Sequence, residues 1–545
     1  MDVAAAIVEI LKREGVQYLI GYPANPLFEA AAEAGLRPII VRQERTGIHM
    51  ADAISRVTSG QTIGVAATQF GPGIENAFGA VAQAYSESVP ILVIPGGYPR
   101  AQANVEPRFS ALLNFQHVTK NIEQVNSAQA AVHAMRRAWT QVKNGRPRPV
   151  VVEVPFDLFD DDLPGDLVYE PAPRRVSAPA QSDVDRVAAA LIDADHPVIY
   201  AGQGVHYARA WDELRELAEL LEAPVTTSLE GKSAFPESHR LSLGSGGRAL
   251  PGPVYQFVQN ADLIFGVGCS FAATNYGIKF PAGKTYIQAT LDPADINRDL
   301  VVDDALVGDA KLTLGMLAEA VRDRLNGESR GIADTVAEEI RRLRGEWESA
   351  WKHKTESDDR PLSPYRVIRD LNATVDVANT IITHDAGSPR DQLSPFWMSE
   401  TPLSYIGWGK TTQLGYGLGL AMGAKLAKPD KLWINVWGDA AIGMTGMDFE
   451  TAARAGIPIL SVLFNNGAMA IELPTMEAAT ARYNATDITG NYSEMARAFG
   501  GHGERVTDPG EIVPAIQRAI EQTENGRPAL LEFITQQETE YSVFP

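Results

Sequence analysis

Short apolar runs alternate with helical patterns along the whole of this 545-residue chain. Apolar runs of three to seven residues that are separated by helices are typical of buried strands in parallel sheets. The clearest runs are 18–20, 38–41, 62–67, 90–95, 149–154, 197–201, 224–228, 263–267, 285–289, 380–384, 432–437, 458–464 and 529–534. We therefore predict an α/β fold of three doubly wound parallel-sheet domains, which span residues 1–165, 184–330 and 362–545.

Two changes of composition separate these units. The stretch EPAPRRVSAPAQSD is rich in Pro and Ala, as linkers are, and TESDDRPLSP forms a polar break after a charged helical pattern near 333–354. The first and third units share the same rhythm of strands and helices, which is compatible with an old duplication.

Charge and cysteine content exclude several classes of protein. The chain has 48 Lys and Arg against 68 Asp and Glu, a formal net charge of -20, so we expect no nucleic-acid partner and no anionic membrane surface. One cysteine, Cys269, excludes an intrachain disulfide, and its apolar setting predicts a structural thiol. The first residues form an amphipathic helical pattern without a basic leader, and no apolar run is long enough to span a membrane, so we predict a cytoplasmic protein.

The most informative motif follows the apolar run LWINVW, where Gly438-Asp439-Ala440-Ala441 makes a sharp turn into a helix. Such a turn presents backbone N–H groups to a phosphate. Asp439 offers a carboxylate oxygen, and Asn466 offers an amide oxygen from the end of the next strand, in FNNGA. Oxygen donors of this kind suit Mg²⁺. A plain turn between a strand and a helix remains the alternative.

Two further segments stand beside this motif. VRQERTGIHMADAISRVTSG places Glu44 at the end of a strand and the start of a helix, and FGPGIEN begins another helix with Gly71, Gly73 and Asn76. Together the three segments resemble the cofactor motifs of thiamine-diphosphate enzymes, in the order of acetolactate synthases, 2-oxo acid decarboxylases and 2-hydroxyacyl-CoA lyases. The resemblance covers essentially the whole chain, and it implies a pyrimidine-binding, a middle and a diphosphate-binding domain.

The resemblance implies roles for individual residues. Glu44 would share a proton with the aminopyrimidine of the cofactor; an exposed Glu at a helix start is the alternative. Asp439, Asn466 and the carbonyl of Ala468 would hold Mg²⁺, although Ala440 replaces the usual third Gly of the motif. The implied cofactor contacts are Gly71, Gly73, Asn76, Gly387, Ser388, Thr412, Leu414, Gly438, Ala440, Ala441 and Ile471. Because relatives build each site from two subunits, we expect a homodimer or homotetramer.

Local residues suggest the reaction. Glu472, directly after Ile471, resembles the proton-handling Glu of pyruvate-decarboxylase-type enzymes, which favours cleavage and protonation over carboligation. Asn25 and His117 are further substrate candidates, with Ile471. We predict a thiamine-diphosphate- and Mg²⁺-dependent carbon–carbon lyase that cleaves a 2-hydroxyacyl-CoA to a ketone or aldehyde and formyl-CoA. The alternatives are a 2-oxo acid decarboxylase, an acetolactate-synthase-like carboligase and a non-catalytic protein that retains the fold.

The middle domain carries weaker signals. Gly202-Gln203-Gly204 and Asp292 follow the pattern of synthases, but Ser270-Phe271-Ala272-Ala273-Thr274 lacks the arginines and acids that synthases have there. The substitution argues against FAD and leaves ADP or the ADP part of CoA as a ligand near Asp292. The C-terminal segment TQQETEYSVFP is predicted either to close over the active site or to pack on a partner subunit.

Overall fold

Three six-stranded parallel sheets form the frame of the molecule in a computed structural model, which describes residues 1–103 and 105–545. The predicted α/β class of three doubly wound domains is confirmed. The strands are β1 (Tyr18–Tyr22), β2 (Arg37–Ile40), β3 (Gly64–Thr68), β4 (Ile91–Gly97), β5 (Asn121–Gln124), β6 (Val150–Pro155), β7 (Pro197–Ala201), β8 (Val225–Ser228), β9 (Ser242–Gly246), β10 (Leu263–Val267), β11 (Thr285–Thr290), β12 (Asp304–Val307), β13 (Thr380–His384), β14 (Tyr405–Ile406), β15 (Leu432–Gly438), β16 (Leu460–Asn465), β17 (His502–Val506) and β18 (Ala529–Ile534).

The helices lie between these strands and cover both faces of the sheets. They are α1 (Val3–Arg13), α2 (Asn25–Glu33), α3 (Glu44–Val57), α4 (Pro72–Ser86), α5 (Ala111–Asn114), α6 (Ala128–Lys143), α7 (Gln181–Asp193), α8 (Gln203–Ala208), α9 (Trp211–Leu221), α10 (Gly252–Asn260), α11 (Ala310–Arg324), α12 (Ala333–Thr355), α13 (Pro364–Thr374), α14 (Ser388–Phe396), α15 (Tyr416–Ala427), α16 (Asp439–Thr445), α17 (Phe449–Ala455), α18 (Glu477–Tyr483), α19 (Tyr492–Ala498) and α20 (Ile512–Glu524). None of the helices in the described ranges combines the length and apolar character needed to cross a membrane.

The first and third sheets have the same strand order. It is β2-β1-β3-β4-β6-β5 in the first sheet and β14-β13-β15-β16-β18-β17 in the third. The middle sheet has the order β12-β11-β10-β7-β8-β9, which is the dinucleotide-binding order. In sheets of this kind ligands bind at the carboxyl ends of the strands, where the strand order reverses, and in the middle sheet that point lies between β7 and β10.

Helices α3 and α15 join the first and third domains of the chain. Gly419 and Gly423 of α15 face α3, and a Cβ on Gly423 would lie 2.1 Å from the Met50 carbonyl oxygen. A Cβ on Gly419 would lie 2.4 Å from the Cβ of His49. The two helices therefore touch backbone to backbone, which only glycine permits at these positions.

Candidate active site

The carboxyl group of Glu44 lies between two segments of the first domain. Glu44 is the first residue of α3 and is only 7% exposed. The side-chain amide of Asn76 on α4 donates a hydrogen bond to its Oε2 at 3.2 Å, and Gly73 leaves the space beside its Oε1. Burial raises the pKa of Glu44, and the hydrogen bond from Asn76 opposes that rise. The structure thus brings Glu44, Gly73 and Asn76 together.

The turn that begins α4 depends on a glycine. Gly71 has a φ of 59°, and a Cβ there would lie 2.7 Å from the Tyr98 hydroxyl. Pro72 then opens α4, where its fixed φ suits the first turn of a helix. The glycines and the proline of this segment therefore bring the Asn76 side chain within hydrogen-bond distance of the Glu44 carboxyl group.

Asp439 begins α16 at the carboxyl end of β15, the position that the sequence predicts for a phosphate and metal site. It is 3% exposed, its Oδ2 accepts N–H groups of Asn466 at 3.1 Å and Gly467 at 2.8 Å, and its Oδ1 accepts that of Ala440. Burial raises the pKa of Asp439 to about 6, against the effect of these hydrogen bonds. A buried carboxylate without a cationic partner favours a bound cation.

The other predicted metal ligands lie on the loop after β16. The Asn466 side-chain oxygen accepts the N–H of Ala468 at 3.0 Å and keeps a second lone pair. Among the described residues, no N–H donates to the carbonyl oxygen of Ala468. The donor set, one carboxylate with an amide and a carbonyl oxygen, therefore fits Mg²⁺. In the described ranges no group of three or more His, Cys, Asp or Glu side chains could hold a metal. Gly438 and Ala441 flank Asp439 at the start of α16.

The loop before α15 carries Thr412 and Leu414, both half-buried. The Arg45 guanidinium donates to the Leu414 carbonyl at 2.9 Å. Asp385, at the end of β13, accepts the N–H groups of Gly415 at 2.9 Å and Gly417 at 2.8 Å and so fixes the start of α15. Sequence reasoning missed Asp385, although an acid directly after a buried strand and two residues before a glycine was an available signal.

Gly387 and Ser388 begin α14, where Gly387 has a φ of 90°. The Ser388 hydroxyl lies 2.8 Å from that of Tyr541 in the C-terminal segment. The same segment crosses to the middle domain, where the Ser542 hydroxyl donates to the Leu250 carbonyl at 2.7 Å and the Phe544 ring stacks on Tyr255. The chain end therefore packs on its own middle and third domains and reaches Ser388, a predicted cofactor contact; closure over the active site and packing on a partner subunit both stay predictions.

Four predicted residues stand apart from these contacts. Glu472 is exposed on a turn after β16, and Ile471 beside it is half-buried. Asn25 is exposed at the first turn of α2, and His117 is exposed in a short turn before β5. In a single chain, none of these side chains hydrogen-bonds to another predicted site residue within residues 1–103 and 105–545.

The pyrimidine-side and metal-side groups also remain separate. Within the described chain, no hydrogen bond or ion pair joins Glu44, Gly73 or Asn76 to the group around Asp439. The nearest link is Asp448, which accepts the N–H of Arg42 at 2.6 Å and whose charge contributes to the raised pKa of Glu44. The pyrimidine-side group and the metal-side group are therefore two separate clusters of one chain.

A cleft of about 1470 Å³, open to solvent, lies at the carboxyl ends of the middle-domain strands. Gly202, Gly204 and Gly268 form its floor, and a Cβ on Gly204 would lie 2.6 Å from Gly268. Arg174 and Asp292 line its sides. Cys269 also lines it and is half-buried; burial raises the pKa of its thiol to about 12, so the thiol stays protonated.

Comparison with known proteins covers all three domains. Three family models of thiamine pyrophosphate enzymes match the chain. The N-terminal TPP binding domain matches residues 1–127, the central domain matches 184–317, and the C-terminal TPP binding domain matches 385–533. The chain is 29% identical to a probable acetolactate synthase large subunit of Methanocaldococcus jannaschii, over 98% of this chain and 92% of that protein. It is 28% identical to the acetolactate synthase isozyme 3 large subunit of Escherichia coli K12, over 96% and 93% of the two chains. It is also 28% identical to a glyoxylate carboligase of Escherichia coli O157:H7, over 100% and 94%.

Proposed function

Since the chain belongs to the thiamine pyrophosphate enzymes, as all three domain matches show, we propose that it is a carboligase that acts on 2-oxo acids. The observation that carries this proposal is similarity over nearly the whole chain to proteins named acetolactate synthase large subunit and glyoxylate carboligase. Each of those names describes an enzyme that joins carbon units. The reaction proposed is loss of CO₂ from one 2-oxo acid and bonding of the remaining fragment to a second carbonyl compound.

This proposal replaces the 2-hydroxyacyl-CoA lyase that the sequence alone favoured. Nothing in the similar proteins' names points to a CoA ester. The sequence argument for the lyase used Glu472 as a proton donor over the reacting carbon. In one chain that side chain is exposed on a turn, and Glu472 stays a proposed proton-handling residue of a site that a second chain completes.

The cofactor of the proposed reaction is thiamine diphosphate. When bound, it supplies a carbon nucleophile for carbonyl addition and an electron sink for cleavage of the neighbouring bond. Glu44 would hold and return a proton at the pyrimidine ring, because its buried carboxyl, with a raised pKa, suits proton sharing near neutral pH. Asn76 would keep that carboxyl oriented through the hydrogen bond to Oε2.

Mg²⁺ would lie at the other half-site. Asp439, Asn466 and the carbonyl of Ala468 supply three oxygen donors, and the N-terminal end of α16 favours a diphosphate beside them. Gly387, Ser388, Gly438, Ala440 and Ala441 would contact the phosphates, and Thr412 and Leu414 the pyrimidine end. Asn25, His117 and Ile471 remain proposed substrate contacts.

We propose a homodimer as the smallest active unit, because one chain presents two separate half-sites. Large apolar side chains are exposed near both: Tyr22 (42%) at the end of β1, Phe78 (37%) on α4, and Met444 (43%) and Met447 (46%) after Asp439. Apolar exposure of this kind is typical of surfaces that a partner covers. A second copy would cover it while completing each site with the other domain.

The middle-domain cleft would take an adenine nucleotide. Its glycine floor lies at the switch point between β7 and β10, and Arg174 offers a cation near the position of a phosphate. Asp292 uses Oδ1 to accept the N–H of Ala294, which leaves Oδ2 for a ribose hydroxyl. Visible absorbance of the purified protein separates FAD from colourless ADP or CoA.

The test is product analysis by mass spectrometry. The protein with thiamine diphosphate and Mg²⁺ is incubated separately with pyruvate, glyoxylate, benzoylformate and a 2-hydroxyacyl-CoA, and the Glu44→Gln variant serves as the control. A product that contains two substrate units less one CO₂ supports the carboligase. Simple aldehyde release from a 2-oxo acid, or formyl-CoA from the thioester, would overturn it in favour of a decarboxylase or a lyase.

A further inference from the structure

Glu87 is a fully buried acid that the proposed chemistry does not use. It caps the C-terminal end of α4, at the far end of that helix from Gly73 and Asn76. Its Oε1 accepts three successive backbone N–H groups of the third domain, from Gly409 at 3.1 Å, Lys410 at 2.7 Å and Thr411 at 3.2 Å. One carboxylate oxygen therefore holds three residues of the loop that leads to Thr412.

Gln83, one turn earlier on α4, continues this contact. Its side-chain oxygen accepts the N–H of Gln413 at 2.8 Å. Gly79 leaves room for the Gln413 side chain, because a Cβ there would lie 2.5 Å from its Nε2. The Gln413 Oε1 then lies 3.2 Å from the ring of His49 on α3. Helix α4 thus holds the backbone on both sides of Thr412.

Opposing effects act on the charge of the buried Glu87. Arg56 and Lys410 favour the carboxylate, but burial and the Glu230 carboxyl outweigh them and raise the pKa of Glu87 to about 7, so the carboxylate predominates above that pH. Successive N–H groups that converge on one oxygen form an anion-binding concavity, and hydrogen bonds to a charged acceptor are stronger than neutral ones. Its Oε2 has no hydrogen-bond partner in the part of the chain that the structure describes, so the contact with the loop dominates its interactions.

We propose that Glu87 is a positioning residue, which holds loop 409–413 so that the Thr412 carbonyl and Leu414 face the pyrimidine end of the bound cofactor. Among the amides of residues 409, 410, 411, 412 and 413, only that of Thr412 is not held by α4. The residue with the proposed cofactor contact is thereby fixed from both sides. The effect on cofactor binding rests on the proposed function, whereas the contact between Glu87 and loop 409–413 does not.

The first measurement is hydrogen–deuterium exchange of the full-length protein without cofactor. In Glu87→Gln the neutral acceptor is weaker and the new amide N–H₂ is buried without a partner, so peptides covering 409–413 are expected to exchange about tenfold faster. Glu153→Gln is the matched control: Glu153 is a buried acid on β6 that accepts from Gln124, and its change is expected to leave the loop unaffected. Unchanged loop exchange in Glu87→Gln overturns the proposal.

A second variant covers the case in which Glu87→Gln does not fold. Gln83→Ala removes the acceptor of one amide only, and a smaller increase of exchange confined to the same peptides is expected. Faster exchange spread over the whole first domain would instead show a purely structural role. Because the exchange is measured without cofactor, it tests the contact even if the protein proves to have another activity.

The consequence is then measured by titration with thiamine diphosphate and Mg²⁺. Glu87→Gln is expected to bind the cofactor about tenfold more weakly, and its kcat at saturating cofactor to fall as well, because the loop is misplaced even when the cofactor is bound. Glu87→Asp keeps the carboxyl group, and it is expected to recover part of the cofactor affinity and part of the kcat. Loss of thermal stability with unchanged cofactor affinity and kcat would contradict the positioning role.

Discussion

Replacing Gly423 by Ala tests the backbone contact that joins the first and third domains. The added Cβ would lie 2.1 Å from the carbonyl oxygen of Met50 and 2.5 Å from its Cα, whereas ordinary contact begins near 3.4 Å. These are backbone atoms and cannot rotate away, so α15 and α3 must separate by more than an ångström. Overpacking of this kind costs roughly 1–3 kcal/mol. Because the clash is with backbone atoms, we take the upper half of that range, about 2–3 kcal/mol. Alanine regains about 1 kcal/mol in helix propensity, so a net loss of about 1–2 kcal/mol is expected.

Gly345→Ala is the matched control. Gly345 lies inside helix α12, and nothing is within 4 Å of the position of its Cβ. The same substitution is expected to stabilise the protein there by up to about 1 kcal/mol, through helix propensity alone. The two variants therefore shift stability in opposite directions, although both exchange one glycine for one alanine in a helix interior.

The assay is urea unfolding followed by tryptophan fluorescence, with thermal midpoints as a second measure. A chain of three domains need not unfold in one step, so the first transition that exposes the contact between α3 and α15 is the one compared. If Gly423→Ala proves as stable as the wild type or as Gly345→Ala, the helices are not in backbone contact and the reasoning fails.

Four further predictions concern the candidate site. Glu44→Gln is expected to bind cofactor but to lose about 10²–10⁴-fold in kcat, because the side chain no longer exchanges a proton; near-normal turnover would contradict this. Burial raises the pKa of Asp439 from 3.8 to about 6, so below pH 6 protons compete with Mg²⁺, and calorimetry is expected to show affinity for Mg²⁺–thiamine diphosphate falling about tenfold per pH unit. Because the pKa of Asp439 is higher in the folded protein than in the unfolded chain, the free energy of unfolding of the metal-free protein is expected to fall as pH rises from about 4 to 6. Bound Mg²⁺ is expected to remove this loss of stability. Tyr541→Phe removes the hydrogen bond to Ser388 and is expected to lower the thermal midpoint slightly, by the equivalent of about 1 kcal/mol, with kcat unchanged; a large fall in kcat would show that the C-terminal segment takes part in turnover.

The sequence predicts every interior strand and one edge strand, β2, and misses the other five edge strands. All five strands without a predicted counterpart lie at an edge: β5 in the first sheet, β9 and β12 in the second, and β14 and β17 in the third. Edge strands face solvent along one side, so their sequences, such as NIEQ and HGERV, carry polar residues where interior strands are apolar. Apolar runs therefore identify the interior strands, whose side chains are buried, and the apolar edge strand β2, RPII.

The candidate site likewise contains residues that the sequence predicts and residues that it does not. The residues at strand ends and helix starts, Glu44, Asn76 and Asp439, could be placed from motifs because local turn chemistry fixes their positions. Asp385 offered only its place directly after a buried strand, and Glu87 offered no local signal. The partners of both are backbone N–H groups that lie 30 or more residues away in sequence and carry no side-chain signature. The glycines of α15 were visible in the sequence, but their reason is the close approach of α3.

The glycine contact between α15 and α3 limits how the molecule can move. Because α3 and α15 are in backbone contact, the first and third domains of one chain cannot open about a hinge between these helices. Neither a substrate nor a cofactor can then enter by such an opening. Entry would then use the exposed stretch around Glu472 and Tyr483 or, in the proposed homodimer, separation of the subunits. In the second case, release of the cofactor would become faster on dilution, a dependence that a hinged enzyme would not show.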